Sequence, residues 1–173
     1  MFDIIVATDL DNGIGKNGSI PWKFKKDMNF FKETTTASRS GALPVVIMGR
    51  KTWKSLPHKY LKDRANIVIS TIPIDLEDTL HTINVHNFID ALQIANLICL
   101  GENIFVIGGG MVYKEAMEHP ELRHIHKTII RERFGCDTFF PEIDEEKFRR
   151  SSAFLTEENY TELDFKTYKR WEN

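Results

Sequence analysis

Runs of apolar residues with almost no polar alternation recur along the first two thirds of the chain: Phe2 to Thr8, Pro44 to Met48, Asn66 to Thr71 and Ile104 to Ile107. Such runs suit strands covered on both faces of a sheet. A shorter strand is expected at Thr82 to Val85. Between them lie stretches with helical spacing. From Lys23 to Thr34, Phe24, Asp27, Met28 and Phe31 fall on one face, and Lys25, Lys26, Asn29, Lys32 and Glu33 on the other. Arg50 to Leu56 reads as a short helix stopped by Pro57, and Asn87 caps a helix from Phe88 to about Leu100, with Ile89, Leu92 and Ala95/Asn96 on its repeat and Gly101 at its end. A further helix starts at Met111. Strands alternating with helices imply right-handed βαβ units and a largely parallel sheet, whose ligands bind beyond the carboxyl ends of the strands. The last third differs. Ile125 to Arg131, Thr138 to Pro141, Ser152 to Thr156 and Phe165 to Trp171 are strands with few helices between them, and the alternation at Leu163, Phe165 and Thr167 predicts a half-exposed antiparallel edge.

Composition narrows the function classes. At 173 residues with 42% apolar and 28% charged side chains, the chain suits one ordinary globular domain and excludes disordered and fibrous classes. A net charge of −2 without a clear basic stripe argues against a nucleic-acid partner, and no apolar run reaches the roughly 18 residues of a membrane span. The reading is an intracellular, cytoplasmic protein without a membrane partner. Cys99 and Cys136 form neither a disulfide framework nor a zinc spacing and read as reduced structural thiols. His81, His86, His119, His124 and His126 show no metal-ligand spacing and read as surface or strand residues, so no metal is expected.

Four features carry chemistry. The apolar run ending in Gly108-Gly109-Gly110 is either a tight strand-to-helix turn or a ligand site at a helix N-terminus; its spacing is not the G-x-G-x-x-G fingerprint. The glycine- and asparagine-rich stretch Asp9 to Ser19 is a lid, a binding loop or a plain connector. Arg50 and Lys51 stand in the first turn of their helix, unfavourably against its dipole, which points to a bound phosphate; solvated cations are the bland alternative. Asp27 puts a carboxylate in an apolar stripe with only Lys23 at helical spacing beside it. It either complements the helix start or meets a ligand with paired N–H donors.

The order and spacing of these features resemble one family, dihydrofolate reductase, over essentially the whole chain. The resemblance rests on Ala7, Ile14-Gly15, Pro21-Trp22, Asp27 with Phe31, the segment from Met48 to Trp53, Arg64, Ile107 to Gly110 with Val112-Tyr113, Thr128, and Asp137 to Pro141. It implies a single α/β domain over residues 1–173, with a central mixed, mostly parallel eight-stranded sheet, an antiparallel C-terminal edge and about four flanking helices. It also implies hydride transfer from NADPH to C6 of 7,8-dihydrofolate with protonation at N5, in a methotrexate-sensitive monomer serving one-carbon metabolism. The catalytic set is then Asp27, Trp22 and Thr128. Asp27 receives two hydrogen bonds from the pterin, Thr128 bonds Asp27 or the pterin amino group, and Trp22 braces the loop. Substrate is walled by Ile5, Met28, Phe31, Leu56 and Leu61, with Arg64 clamping the glutamate carboxylate. Cofactor is met by Ala7, Ile14, Gly15 and Ile107 near the nicotinamide, by Gly108, Gly109, Gly110, Met111, Val112 and Tyr113 near the pyrophosphate, and by Gly49, Arg50, Lys51, Thr52, Ser70 and Thr71 at the phosphates, including the 2′-phosphate.

Three positions depart from the family pattern. Met111 stands where some members carry arginine, Cys136 where a bacterial form has glycine, and the connector Thr35 to Leu43 is longer than in short bacterial members. Two other functions share the fold: a pterin- or pyrimidine-reducing relative, and a non-catalytic nucleotide-binding or structural protein. Asp27 on an aromatic helix face favours folate.

Overall fold

The computed structural model describes residues 1–38, 40–74 and 82–171. Arg39, within the polar connector, and His81 therefore lie outside the described residues. In chain order the elements are β1 (Phe2–Thr8), β2 (Gly13–Gly15), α1 (Lys25–Thr36), β3 (Val45–Gly49), α2 (Arg50–Ser55), β4 (Ala65–Ile69), β5 (Thr82–Val85), α3 (Phe88–Cys99), β6 (Ile104–Gly108), α4 (Gly110–Glu118), β7 (Leu122–Ile130), β8 (Thr138–Phe139), β9 (Phe148–Glu158) and β10 (Thr161–Arg170).

Eight strands form one sheet in the order β5-β4-β3-β6-β1-β7-β10-β9. Every pair from β5 to β7 is parallel, and β10 runs antiparallel to both β7 and β9. The expected mixed sheet with an antiparallel C-terminal edge is thus observed. The apolar runs without alternation are the central strands, whose residues Ile4, Val45, Val46, Ile47, Met48, Ile67, Val68 and Val106 are fully buried. One face packs on α3 and α4 through Phe2, Ile4, Phe88, Ala95 and Val112. The other carries Ile5, Val46, Met48 and Phe105, against which Phe30, Phe31, Leu56 and Leu61 pack.

Some expectations shift. Helix α1 starts two residues later than the spacing suggested, so Lys23 lies outside it and is exposed. Met28 is half-exposed, and Phe30 takes an inward place, stacking edge-on with Phe165 at 4.8 Å. In α3, Ile89 is half-exposed while Phe88, Ala91, Leu92, Ala95 and Cys99 face inward. Asn87 does cap α3, its side chain accepting from the Asp90 N–H at 2.8 Å. The Asp9 to Ser19 stretch holds a strand of its own: β2 pairs antiparallel with β8, Gly13 opposite Phe139 and Gly15 opposite Thr138.

Candidate active site

The carboxyl ends of the parallel strands β1, β3, β4, β6 and β7 deliver Ala7, Gly49, Ser70, Gly108 and Thr128 to one side of the molecule. Helix α1 packs through Phe30 and Phe31 on the sheet face that carries Ile5. It brings Asp27 close to Thr128, whose hydroxyl favours the charged carboxylate. Burial pushes the Asp27 carboxyl above its ordinary value; the Thr128 hydroxyl opposes this in part, and the negative charge of Glu158 adds to it. The polar neighbour of Asp27 is therefore a hydroxyl from the sheet, not Lys23. Tyr113 stands near enough that the Asp27 charge, after burial, helps raise its phenol, and its hydroxyl donates to the Ile5 carbonyl at 2.8 Å. That bond ties α4 to β1 beside the pocket wall.

The wall itself is apolar. Ile5, Phe31, Leu56, Leu61 and Ile107 belong to one cluster with the α1-facing side of the sheet. Ala7 and Trp22 belong to the neighbouring cluster around Phe24, Ile130, Leu163 and Phe165. Trp22 packs on Phe134 with ring centroids 5.1 Å apart. Leu61 and Arg64 are held by the buried Asn66, which accepts from the Leu61 N–H and donates to the carbonyls of Leu61 and Arg64. Arg64 is itself buried, donating from Nε to the Lys62 carbonyl and from Nη1 to Thr35 Oγ1 at 2.8 Å, with its guanidinium 5.9 Å from the Phe31 ring centre. The fork is aimed by α1 before any ligand arrives.

The second half of the site is built from two glycine turns laid side by side. A Cβ on Gly49 would meet Val112 Cγ2 at 3.2 Å, and one on Gly108 or Gly109 would meet Thr52 Oγ1 at 3.4 or 3.2 Å. A side chain at Gly49 or Gly109 would require Val112 or Thr52 to give by a few tenths of an ångström, so the glycines let the starts of α2 and α4 lie this close. Gly108 also has φ +122°, a conformation rare for any other residue. Gly49 and Gly109 occupy the N-cap positions of α2 and α4, and neither helix has a side-chain cap. Their first N–H groups are left for another acceptor, as a bound anion would provide. Arg50 supports this directly: its Nε is buried and has no hydrogen-bond partner among the described residues. Lys51 and Met111 are exposed, Met111 at 89%. Thr71 is exposed at the end of β4, whereas the Ser70 hydroxyl turns back to donate to the Ile72 carbonyl at 2.6 Å.

The loop carrying Ile14 and Gly15 is anchored from three sides. The buried Asp9 carboxylate accepts N–H groups from Asp11, Gly13 and Phe134, which outweigh the effect of burial and hold it below the usual carboxylate range. Asp137 accepts the Asn17 N–H at 2.8 Å and gives its own N–H to the Gly15 carbonyl. Lys127 donates to the Asn12 side chain. Sequence reasoning passed over Asp9, Lys127 and Phe30. The Asp-x-Asp-Asn-Gly spacing of an Asx-type turn was the available signal for Asp9; Lys127 and Phe30 had none. A separate cavity of about 420 Å³ lies behind α4, lined by Lys114, Met117, Phe139, Phe148 and others; of the residues expected at the site it touches only Gly110.

A half-buried carboxylate on an apolar wall, a pre-aimed arginine and paired uncapped helix starts together suit two elongated ligands meeting over β1 and β6. A family model described as dihydrofolate reductase matches residues 1–170. The chain is 38% identical over 180 residues to a bifunctional dihydrofolate reductase-thymidylate synthase of Daucus carota, covering 99% of this chain and 34% of that relative. It is 41% identical over 152 residues to a dihydrofolate reductase of Rattus norvegicus, covering 84% and 81% of the two chains, and 38% identical over 152 residues to one of Schistosoma mansoni, covering 86% and 82%. The chain thus spans about a third of the bifunctional plant relative and about four fifths of the other two.

Proposed function

Since the chain belongs to the dihydrofolate reductase family, we propose that it reduces 7,8-dihydrofolate to 5,6,7,8-tetrahydrofolate, with residues 1–173 acting as one reductase domain. The observation that carries this reading is Asp27, an ionisable side chain on the apolar wall, beside the Thr128 hydroxyl and disfavoured in its charged form until a cationic or N–H-rich ring meets it.

The Asp27 carboxylate accepts two parallel hydrogen bonds from pterin N3 and the 2-amino group, which fixes the ring face. Thr128 fixes the carboxylate. The negative charge favours the N5-protonated pterin, whose C6 is the better hydride acceptor, with the proton drawn from water. Ile5, Phe31, Leu56 and Leu61 exclude water from the ring, and Met28 covers the open side. Arg64 keeps Nη2 free of partners among the described residues for the glutamate carboxylate.

NADPH, when bound, supplies the hydride. The chain's own features fit it: the orphaned Arg50 Nε, the uncapped starts of α2 and α4, and the glycine cradle that a Cβ would fill. Gly109, Gly110, Met111 and Val112 hold the pyrophosphate through backbone N–H groups; Gly49, Arg50, Lys51 and Thr52 hold phosphate oxygens; Thr71, on a turn shaped by Ser70, reaches the 2′-phosphate. Ala7, Ile14, Gly15 and Ile107 enclose the nicotinamide, with Gly108 and Tyr113 setting the floor and Trp22 bracing the loop.

No helix among the described residues is long and apolar enough to cross a membrane. We place the protein in the cytoplasm as a monomer acting on a small-molecule substrate. Loss of nicotinamide absorbance on mixing the protein with NADPH and dihydrofolate tests the reading, with sedimentation for the monomer; absence of both turnover and methotrexate binding would overturn the function.

A further inference from the structure

Helix α1 begins without a cap of its own. Phe24 holds the N-cap position and makes no side-chain bond to the first turn. Two of the N–H groups that would otherwise lack partners are taken by a residue more than 130 positions away. The Lys25 N–H donates to Glu158 Oε1 and the Lys26 N–H to Glu158 Oε2, both at 2.9 Å. A second pair of bonds runs the same way: Lys26 Nζ donates to Thr156 Oγ1 and to the Glu157 carbonyl, both at 2.7 Å. The end of β9 is thus clasped to the start of α1, and Asp27 is the next residue along.

We propose that Glu158 is a positioning residue for the reductase reaction: its carboxylate takes the place of the missing N-cap of α1 and so sets where Asp27 stands against Thr128. The proposal rests on Asp27 being the carboxylate that receives the pterin. An acceptor at this position suits the positive end of the helix and fixes the first turn on which Asp27 rides. The charge of Glu158 has a second effect, since it faces Asp27 and works against its ionisation. The other groups around Asp27 are Lys25 and Lys26 on its own helix, Tyr113 from α4 and the Thr128 hydroxyl from β7. Glu158 is the one carboxylate among these neighbours. Its own carboxyl is held below the usual range by the two N–H donors, so the clasp stays intact until the medium is acidic enough to protonate it.

Glu158→Gln keeps the shape and one of the two acceptor oxygens, so only one of the Lys25 and Lys26 N–H groups stays bonded, and it removes the charge; Glu158→Ala removes the charge and both acceptors. Carbon-13 NMR titration of the Asp27 carboxyl in the unliganded protein is measured for wild type and both variants, alongside kcat and KM against pH and the melting temperature. Glu158→Gln is expected to move the Asp27 titration to lower pH and the kcat/KM profile in the same direction. In Glu158→Ala the KM for dihydrofolate is expected to rise several-fold while the KM for NADPH stays unchanged. An Asp27 titration identical in all three proteins, with only the melting temperature lowered, would reduce Glu158 to a stabilising contact and overturn the proposal. Should Glu158→Ala fail to fold, Glu158→Gln carries the test. A wild type that does not turn over dihydrofolate would refute the substrate assignment, and the NMR titration would still decide whether Glu158 governs Asp27.

Discussion

Stability and chemistry oppose each other at Asp27. Burial raises its carboxyl above the ordinary 3.8, only partly offset by Thr128 and reinforced by Glu158. The folded chain therefore holds that proton more tightly than the unfolded chain, so stability falls as pH rises through the interval above 3.8 and the penalty is fully present above the folded value. Asp27→Asn is expected to raise the melting temperature of the unliganded protein at pH 7 to 8 and to leave it unchanged below the ordinary carboxylate range. The same change is expected to lower kcat/KM for dihydrofolate by about 10²-fold at neutral pH, the loss shrinking in acid where substrate is already protonated. A loss independent of pH in steady-state kinetics would remove the electrostatic role. At the other ligand, Thr71 and Ser70 separate. The Ser70 hydroxyl is committed to its turn and Thr71 is exposed. Thr71→Ala is expected to weaken NADPH roughly tenfold, the loss of one bond to a charged group, and NADH hardly at all. Equal weakening in fluorescence titrations would exclude Thr71 from the 2′-phosphate.

The loop from Asp9 to Trp22 depends on one close contact, between Gly13 and Cys136, the residue that departs from the family pattern before Asp137. A Cβ on Gly13 would lie 2.4 Å from Cys136 Cβ, 2.6 Å from its Sγ and 2.8 Å from Asp9 Oδ1. Gly13→Ala is therefore expected to destabilise the protein by about 1–3 kcal/mol in denaturant melts and to raise the KM for NADPH as β2 lifts from β8. Adding Cys136→Gly removes two of the three close approaches and is expected to recover part of the loss; no recovery would show that Asp9 alone sets the spacing. Legibility varied by element for physical reasons. β1 and the cap of α3 are readable because a buried parallel strand and an Asn N-cap leave local signatures at Phe2–Thr8 and Asn87, and β5, half-buried at the sheet edge, from the β-branched residues of Thr82–Val85. β2 and β8 are three and two residues long, and their pairing comes from the tertiary contacts of Asp9, Asp137 and Lys127, not from periodicity. The apolar stripe expected for α1 includes Met28 and leaves Phe30 unassigned, whereas Met28 is half-exposed and Phe30 packs inward. Phe30 is drawn in by Phe165 on β10, a strand 130 residues later.

Across the whole molecule the two ends of the parallel strands divide the work. The carboxyl ends hold Ala7, Gly49, Gly108 and Thr128, positions legible because glycines and a hydroxyl interrupt apolar runs. The amino ends hold an ion cluster that no spacing announced, because its members are 120 residues apart. The buried Asp3 on β1 accepts from Arg123 Nε and Nη2 at 3.0 Å each and from the His124 N–H at 3.1 Å, with His126 Nε2 at 3.7 Å. Burial would raise the Asp3 carboxyl, but the nearby His126 ring and the Arg123 bonds outweigh it and hold the group well below 3.8. A depressed folded value means stability present above 3.8 and lost as pH falls through the folded value. Breaking a buried pair costs several kcal/mol, and Arg123 is partly exposed, so Asp3→Asn is expected to destabilise by about 2 kcal/mol at pH 7. The gap from wild type should begin to narrow near 3.8, where the unfolded chain binds the proton, and close only as pH falls through the folded value, well below 3.8. Because this cluster sits at the strand ends opposite the site, kcat and both KM values are expected to stay within twofold of wild type at a temperature where the variant is folded. A selective rise in the KM for dihydrofolate would mean that strain at the amino ends of β1 and β7 reaches Thr128, and that the sheet is less rigid along its strands than its close-packed core implies.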